Sequence, residues 1–369
     1  MQYTEYELGE LLPFEQPTAY IVKSTDYSDA YATPVLTAGK SFILGKTNET
    51  DGIFDQLPVI IFDDFTTATQ FVNFRFKVKS SAMKILHINT DLVIPKYIFY
   101  RLQIIQFDHS THKRYWIQSY SKIKVLIPPL DEQFRIVARI EELFSELDKA
   151  VDTLKTTKEQ LVVYRQAVLK DAFSNIAEYI PFGKITSSRL GKMLDKQKNV
   201  GVPCKYLRNI NVRWFSFDLS DLLDMKIEEK EFEKYTICKN DLVICEGGEP
   251  GRCAVWEKDE TIFYQKALHR VRFTIKAEPR FYMYYLWYIT QSGSINKFYT
   301  GTGIKHLTGQ SLEKIPVPVT DIGEQKRLLE LIEMRLSVCD NIEKTVDAAL
   351  AQADAMRQSI LKQAFEGKI

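Results

Sequence analysis

Apolar residues recur at alternating spacings of three and four along two long stretches, one beginning near Asp131 and one near the end of the sequence. In the first stretch the apolar positions are Phe144, Leu147, Val151, Leu154, Leu161 and Val168. In the second they are Leu336, Cys339, Val346, Leu350, Ala353, Ile360 and Ala364. This spacing predicts a helix of about 40 residues in each stretch, with one apolar stripe along it. Polar residues interrupt the stripes at Lys158, Arg165 and Glu343.

The two stretches share their sequence as well as their spacing. One ends in Arg165-Gln166-Ala167-Val168-Leu169-Lys170-Asp171-Ala172-Phe173 and the other in Arg357-Gln358-Ser359-Ile360-Leu361-Lys362-Gln363-Ala364-Phe365. Glu132-Gln133 and Glu324-Gln325 begin the two copies, and no gap is needed in between. Packing of each helix on its own globular domain would explain the stripes but not the shared endings. We therefore expect the two helices to pack against each other.

Residues 1–127 show short β-type runs instead of long helical periodicity. Strands are predicted at residues 19–22, 41–44, 59–62 and 71–78, the last of which alternates apolar with polar positions. A helix is predicted over residues 95–106, because Pro95 suits the first turn and Ile98, Leu102 and Ile105 recur at helical spacing. This region is therefore predicted to be a compact mixed α/β domain.

Residues 180–318 repeat parts of that first region. Residues 8–12 match residues 190–194, residues 95–102 match residues 279–286, and residues 124–128 match residues 314–318. The predicted segments are a domain at 1–127, a helical region at 128–179, a domain at 180–318 and a helical region at 319–369. The predicted fold class is α+β, with two mixed α/β domains separated by two long helices in an internal repeat.

Composition narrows the class of protein. The chain has 369 residues, of which 45% are apolar and 26% charged, so we expect a soluble, globular, cytoplasmic protein. The acidic start resembles no signal peptide, and no apolar run approaches the ~18 residues of a membrane span. The five cysteines fit neither a disulfide framework nor a zinc site. Residues 180–318 carry 22 basic and 16 acidic side chains against 13 of each in residues 1–127, which hints at an acidic partner.

No familiar catalytic or metal-binding motif is found in the sequence. Residues 247–252 lack the spacing and the lysine of a phosphate-binding loop, and residues 301–303 are too short for a dinucleotide fingerprint. His109 and His112 have no third metal ligand nearby, and Glu228-Glu229-Lys230 is better explained as a solvated charge run. We therefore expect a protein that has no catalytic residues, cofactor or metal of its own.

Basic and amide side chains on Gly-, Ser- and Thr-rich segments between predicted strands suit a nucleic-acid surface. Such side chains can hold phosphates or pair with base edges in the major groove. The predicted DNA-binding residues are Lys40, Lys46, Thr66, Thr67, His112, Lys113, Arg114, Arg208, Asn209, Glu246, Arg252, Gln265, Lys266, His269, Thr302, Lys305 and His306. Any one of these, taken singly, is more often an ordinary surface residue.

The order of these segments resembles the specificity subunit of type I restriction-modification systems over essentially the whole chain. The similarity is carried by Ile127-Pro128-Pro129-Leu130-Asp131-Glu132-Gln133, by the two repeated helix endings, by Asn240-Asp241-Leu242-Val243 and by Gly301-Thr302-Gly303-Ile304-Lys305-His306-Leu307. The resemblance implies two target-recognition domains related by a pseudo-two-fold axis through an antiparallel coiled coil. Each domain would then contact one half of a bipartite site in double-stranded DNA.

The resemblance also implies partners. Two modification subunits, which carry S-adenosylmethionine, would dock on the helices, and restriction subunits could be added. A 40-residue helix spans roughly 60 Å, so the helices would set the distance between the half-sites. Two alternatives remain open: a protein-binding scaffold that does not contact DNA, and a nuclease or methyltransferase with an unrecognised site. The absence of an Asn/Asp-Pro-Pro-Tyr/Phe motif argues against an adenine methyltransferase.

Overall fold

The computed structural model describes residues 3–37, 41–107, 114–195 and 197–369, which form two compact units. The first unit consists of Met1–Leu154 and Ala348–Ile369, and the second of Lys155–Asp347. Each unit therefore contains one globular part, half of one long helix and half of the other. The fold is α+β with an internal repeat, and the prediction of two mixed domains and two long helices is confirmed.

The first unit has short strands and three short helices before its long helices. The strands are β1 (Thr4–Glu7), β2 (Phe14–Glu15), β3 (Thr33–Leu36), β4 (Ile43–Thr47), β5 (Val59–Asp63), β6 (Thr69–Val72), β7 (Lys77–Val78), β8 (Met83–His87) and β9 (Lys124–Ile127). The α-helices are α1 (Leu8–Leu11), α2 (Pro95–Leu102) and α3 (Tyr115–Gln118), and 3₁₀ helices occur at Pro17–Tyr20 and Tyr120–Lys122. The first long helix follows as α4 (Leu130–Ser174).

The second unit repeats this plan. Its strands are β10 (Tyr179–Pro181), β11 (Thr186–Leu190), β12 (Val202–Leu207), β13 (Val212–Arg213), β14 (Ser216–Phe217), β15 (Leu223–Ile227), β16 (Thr236–Ile237), β17 (Leu242–Cys245), β18 (Cys253–Val255), β19 (Ile262–Tyr264), β20 (Leu268–Phe273) and β21 (Pro316–Pro318). Its α-helices are α5 (Phe232–Tyr235), α6 (Pro279–Gln291), α7 (Gly309–Glu313) and the long α8 (Ile322–Phe365), and its 3₁₀ helices lie at Phe182–Lys184, Asn209–Asn211, Glu229–Glu231 and Ser294–Phe298.

Corresponding strands pair in the same order in both units. The antiparallel sheet β2-β8-β5-β6 has its counterpart in β11-β20-β17-β18. A second sheet, β4-β3-β7, has its counterpart in β15-β12-β19-β16, and each contains one parallel pair, β3 with β7 and β12 with β19. Strand β1 pairs with β9 just as β10 pairs with β21. The middle of the domains therefore shares a strand order that the sequences do not reveal.

Three predictions about the first domain need correction. Residues 19–22 form no strand, because Pro17 starts a 3₁₀ helix there and Ile21 makes only an isolated bridge to Val78. The run at 71–78 is split, since β6 pairs with β5 and β7 pairs with β3 in another sheet. The helix at 95–106 ends at Leu102.

The predicted match of residues 8–12 with 190–194 is also wrong. Leu8 donates its backbone N–H to Ile123 O (3.0 Å), and Phe182 donates to Ile315 O (2.8 Å) immediately after the corresponding first strand. Gly9 therefore corresponds to Gly183, and at both positions a Cβ would press on a neighbouring side chain. Residues 190–194 instead begin at Leu190, which is the last residue of β11.

The long helices α4 and α8 pack together as predicted. Arg165 of α4 lies 2.8 Å from Asp340 and 2.7 Å from Glu343 of α8, and its repeat counterpart Arg357 of α8 pairs with Asp148 of α4. The late part of each helix thus contacts the early part of the other, so the helices are antiparallel. Two of the polar interruptions of the stripes, Arg165 and Glu343, pair with each other, and the third, Lys158, pairs with Asp347 of α8 at 2.7 Å.

The apolar stripe of each helix lies at the interface. Phe144, Leu161 and Val168 of α4 are buried, and the guanidinium of Arg357 lies 4.5 Å from the ring centroid of Phe144. Of the predicted stripe positions of α8, the buried ones are Leu336, Cys339, Val346, Ala353 and Ala364. Ala353 and Ala364 are small side chains among these buried positions.

Two repeated glutamines attach the start of each long helix to a globular part. Gln133 is fully buried; its Nε2 donates to Leu92 O (3.0 Å) and Pro128 O (2.9 Å), and its Oε1 accepts from Ile94 N (2.8 Å). Gln325 makes the corresponding bonds to Thr320 O and Glu278 N, both at 2.9 Å. Ile94 and Glu278 are the residues before α2 and α6, so each amide satisfies backbone groups at the start of a domain helix.

The ends of the long helices are attached by aromatic contacts. Phe365, at the end of α8, lies edge-on against Tyr97 of α2 with ring centroids 5.2 Å apart. Phe173, near the end of α4, packs in the same way on Phe281 of α6 at 5.4 Å. Each globular part is therefore held by the start of one long helix and the end of the other.

Replacement of either glutamine by leucine should destabilise the protein by about 1–3 kcal/mol, because buried backbone groups lose their partner. We expect Gln133→Leu and Gln325→Leu each to lower the thermal unfolding midpoint. Gln160→Leu, at an exposed position of α4, is the matched control. Equal midpoints for Gln133→Leu and Gln160→Leu would contradict the anchoring role of the amide.

Candidate nucleic-acid interface

Four segments of the second unit meet at one edge of its sheets. They are the turn after β12 (residues 208–211), the β17–β18 loop (246–252), the β19–β20 loop (265–267) and the loop at 301–306. Backbone hydrogen bonds join them: Gln265 N donates to Leu207 O (3.1 Å), Glu246 N to Ala267 O (3.0 Å) and Leu307 N to Glu246 O (2.7 Å). Most of the predicted DNA-binding residues of this unit lie on these four segments.

Arg252 holds two of the segments together. Its Nη1 lies 2.7 Å from Glu249 Oε2, and its Nη2 donates to Asn209 O at 3.0 Å. Trp214 of the β13–β14 turn donates its Nε1 to Glu249 Oε1 at 2.8 Å. The Arg252 side chain is only 15% exposed, so it supports the loops from within. Trp214 is a site residue that the sequence analysis missed, because it is 35 positions from Glu249.

Arg208 and Asn209 are likewise engaged inside the protein. Arg208 donates through Nη2 to the backbone and side-chain oxygens of Asp221, at 2.8 and 2.7 Å. Asn209 Nδ2 donates to Gly247 O at 2.9 Å. The atoms Arg208 Nε, Asn209 Oδ1 and Arg252 Nε are buried and have no partner among the described residues. These side chains shape the loops more than they face solvent.

The outward-facing residues form a smaller set. Lys266, Thr302, Lys305 and His306 are exposed, and Glu246 and Gln265 are half-buried. Lys305 Nζ lies 5.9 Å from the ring centroid of Tyr299. These residues offer two cations, a hydroxyl and an imidazole on one edge, together with a carboxylate and an amide. That combination suits phosphate contacts and base edges.

His269 lies on β20 beneath this edge and does not face solvent. It is 1% exposed, and its Nε2 is 2.8 Å from Leu307 O. Burial lowers the pKa of His269 below its ordinary value, although the hydrogen bond to Leu307 acts in the opposite direction. The apolar surroundings therefore favour the neutral ring, and His269 supports the loop at 301–306 from below.

The predicted residues of the first unit are less well gathered. Thr66 and Thr67 lie in the β5–β6 turn, which corresponds to the β17–β18 loop, and Thr66 Oγ1 donates to Asp63 Oδ2 at 2.7 Å. Arg114 is exposed beside that turn, since the next residue bonds Asp64 through its backbone (2.9 Å). Lys46 lies on β4 in the other sheet. Lys40, His112 and Lys113 fall outside the described residues.

Two further features of the described part of the chain concern metal binding and membrane insertion. No group of three or more His, Cys, Asp or Glu side chains there is placed to hold a metal ion. No helix there is long and apolar enough to cross a membrane.

Solved structures share this architecture. A chain from a type I restriction-modification system matches all of this chain and 98% of its own length, with a TM-score of 0.72 and 16% sequence identity. The HsdS subunit of Thermoanaerobacter tengcongensis matches all of this chain and 97% of its own length, with a TM-score of 0.54 and 16% identity. Two like domains joined by an antiparallel helix pair thus place the fold in the HsdS class.

Sequence relatives identify the family. The specificity subunit of the Escherichia coli type I restriction enzyme EcoR124I/EcoR124II is 31% identical over 386 aligned residues, which cover 95% of this chain and 90% of the relative. The MjaVIII specificity subunit of Methanocaldococcus jannaschii is 22% identical, with 93% and 86% covered. The model of the type I restriction modification DNA specificity domain matches residues 208–352. The chain belongs to the family of type I restriction enzyme specificity subunits.

The buried, neutral His269 should make stability depend on pH. In the folded protein its pKa is lowered, whereas in the unfolded chain it titrates near ~6.5, so its contribution is present above that pH and is lost as the pH falls below it. We expect the thermal midpoint to fall more steeply between about pH 6.5 and 5 in the natural protein than in His269→Gln. His306→Gln, which changes an exposed imidazole, is the control; a slope in His269→Gln as steep as in the natural protein would contradict the buried neutral state.

Proposed function

We propose that this chain recognises double-stranded DNA as the specificity subunit of a type I restriction-modification complex. The observation that carries the proposal is the repeated fold itself: two domains of one strand order are held by near-identical helix contacts but differ in their loops. Two domains with the same strand order but different loops suit a bipartite DNA site, in which each domain contacts one half-site. Family membership supports the same function.

In the second domain, the proposed DNA contacts come from the exposed edge. Lys266 and Lys305 would hold phosphates, while Gln265 could pair with adenine and Glu246 could accept from cytosine. Thr302 and His306 lie beside them on the exposed loop. Arg208, Asn209 and Arg252 each donate to oxygens of their own domain, so we assign them to positioning. In the first domain, Thr66, Thr67 and Arg114 are the corresponding candidates, and Lys40, Lys46, His112 and Lys113 stay predictions.

The paired helices are the proposed docking surface for two modification subunits. Val162, Val163, Met334 and Val338 of the second unit are large apolar residues on α4 and α8 with more than half of their surface exposed. Large apolar residues that are exposed on two paired helices suit an interaction surface. S-adenosylmethionine would be bound by those partners, and restriction subunits would add cleavage. The chain itself would supply no catalytic group, and the complex would act on DNA in the cytoplasm.

The first test measures sequence preference. Mapping of methylated adenines in cells with and without the chain should reveal a bipartite motif that disappears when the chain is absent. The purified chain with its modification subunits should then bind a duplex with that motif more tightly than a scrambled duplex across a salt series. Equal binding of both duplexes at every salt concentration would refute the proposed function.

Charge reversal tests the second-domain edge. Lys266→Glu and Lys305→Glu should weaken binding on all sequences, and each should reduce the salt slope by about one, as expected when one phosphate contact is lost. Lys276→Glu, an exposed lysine beyond the other end of β20, is the matched control. If all three variants bind like the natural protein while the bipartite preference persists, the DNA contacts lie elsewhere on the chain.

A further inference from the structure

The loop at residues 301–306 is exposed, and hydrogen bonds join its two ends. Thr300 and His306 exchange two backbone hydrogen bonds, at 2.8 and 2.9 Å, which join the ends of the loop. Gly301 has a φ of +95°, and a Cβ at this position would lie 2.3 Å from Ile304 O. Only glycine therefore allows the chain to fold back this tightly. The hydrogen bonds and the glycine give the loop one defined shape.

The base of the loop is attached to the rigid β17–β18 loop. Leu307 N donates to Glu246 O at 2.7 Å, and Tyr299 OH donates to Pro250 O at 2.7 Å. The His306 ring lies close to Gly247, where a Cβ would be 3.0 Å from Nδ1. Arg252 and Glu249 stabilise the β17–β18 loop. The loop at residues 301–306 is therefore attached to a part of the domain that is itself held in place.

The tip carries an apolar side chain that the fold does not use. Ile304 is 73% exposed, the largest value for any large apolar residue in the described part of the chain. Open space surrounds the neighbouring Gly303, whose Cβ position has no atom within 4 Å. The next residue, Lys305, is exposed and basic. An isoleucine presented in this way gains nothing from folding but would gain from burial in a partner.

We propose that Ile304 is a wedge that inserts between stacked bases in the half-site contacted by the second domain. This proposal rests on the proposed function. Proteins that open or kink a duplex insert Ile, Leu, Met or Phe between base steps, and the flanking cations hold the backbone. Continuity with the Lys266 and Lys305 edge favours DNA over a protein as the occupant. Opening a base step next to the target also lowers the work of extruding a base for methylation.

The two half-sites should differ in this respect. The loop at residues 301–306 precedes the short helix α7, and residues 108–113 precede the short helix α3 of the first domain. The sequence of residues 108–113 contains no Ile, Leu, Val, Met or Phe. It therefore offers no apolar residue for insertion. The wedge is expected in one half-site only, which gives the experiment an internal reference.

The experiment uses the full chain in complex with its modification subunits. The probe is a duplex carrying the motif found by methylation mapping, with 2-aminopurine placed in turn at positions of both half-sites. The natural complex should raise 2-aminopurine fluorescence several-fold at one step of one half-site. Ile304→Ser should abolish that rise and weaken binding by about tenfold or more, as expected for the loss of a buried isoleucine. Ile304→Leu should retain both.

Controls separate the possible outcomes. Ile275→Ser changes an exposed isoleucine beyond the other end of β20 and should leave fluorescence and affinity unchanged. If the natural complex prefers the motif but Ile304→Ser gives the same fluorescence and affinity, the wedge is refuted and the proposed function stands. If Ile304→Ser instead weakens binding of the modification subunits, the tip contacts protein, which also refutes the wedge. A natural complex without motif preference overturns both proposals.

Discussion

Two buried glutamine amides, Gln133 and Gln325, determine how each long helix leaves its domain. Each amide satisfies one backbone N–H before a domain helix and at least one carbonyl beside the start of the long helix, so the two elements cannot move apart without exposing unpaired polar groups in the core. Ion pairs of Arg165 and Arg357 then set the register of the helices against each other. Apolar packing along a helix stripe is tolerant of sliding by a turn, whereas these directional contacts are not. The directional contacts of the two glutamines and the two arginines therefore occur in both copies of the repeat.

The domains follow the opposite rule. Their strand order is the same, but the loops at the sheet edge differ in sequence, and in the second domain side-chain contacts stiffen these loops. Arg252 joins Glu249 to the backbone of Asn209, and Trp214 completes the set. A braced loop loses little conformational entropy when it binds, so more of its contact energy remains to distinguish one ligand from another. The two domains thus share their sheets but differ in their loops, and in the second domain Arg252, Glu249 and Trp214 support the loops through side-chain hydrogen bonds.

The long helices were predictable because apolar spacing is a local signal, visible within a few turns, and because the second copy repeats the same spacing. The mutual packing of the helices also followed, since the shared Arg-Gln ending had no explanation within a single helix. Strand pairing is non-local, so the sequence could suggest strands but not their partners. It therefore did not reveal that β6 and β7, which follow each other closely in the chain, belong to different sheets. The role of Arg252 was equally hidden, because a buried arginine and a solvent-facing one look alike in sequence until their partners are placed. His269 was chosen for its type and its neighbours, but the strand turns it inward to Leu307.

Ile304 shows where sequence and structure inform each other. Glycines such as Gly301 and Gly303 are typical of turns, and the hydrogen bonds between Thr300 and His306 and the φ of Gly301 give this turn a defined shape. A flexible loop could bury an isolated isoleucine against its own domain, and this would be favoured by apolar burial. The closed loop prevents that collapse, so the side chain stays in solvent. Gly301 thus helps to hold the Ile304 side chain away from the core. The exposed cations of Lys266 and Lys305, which would accompany a nucleic acid, lie on the same edge.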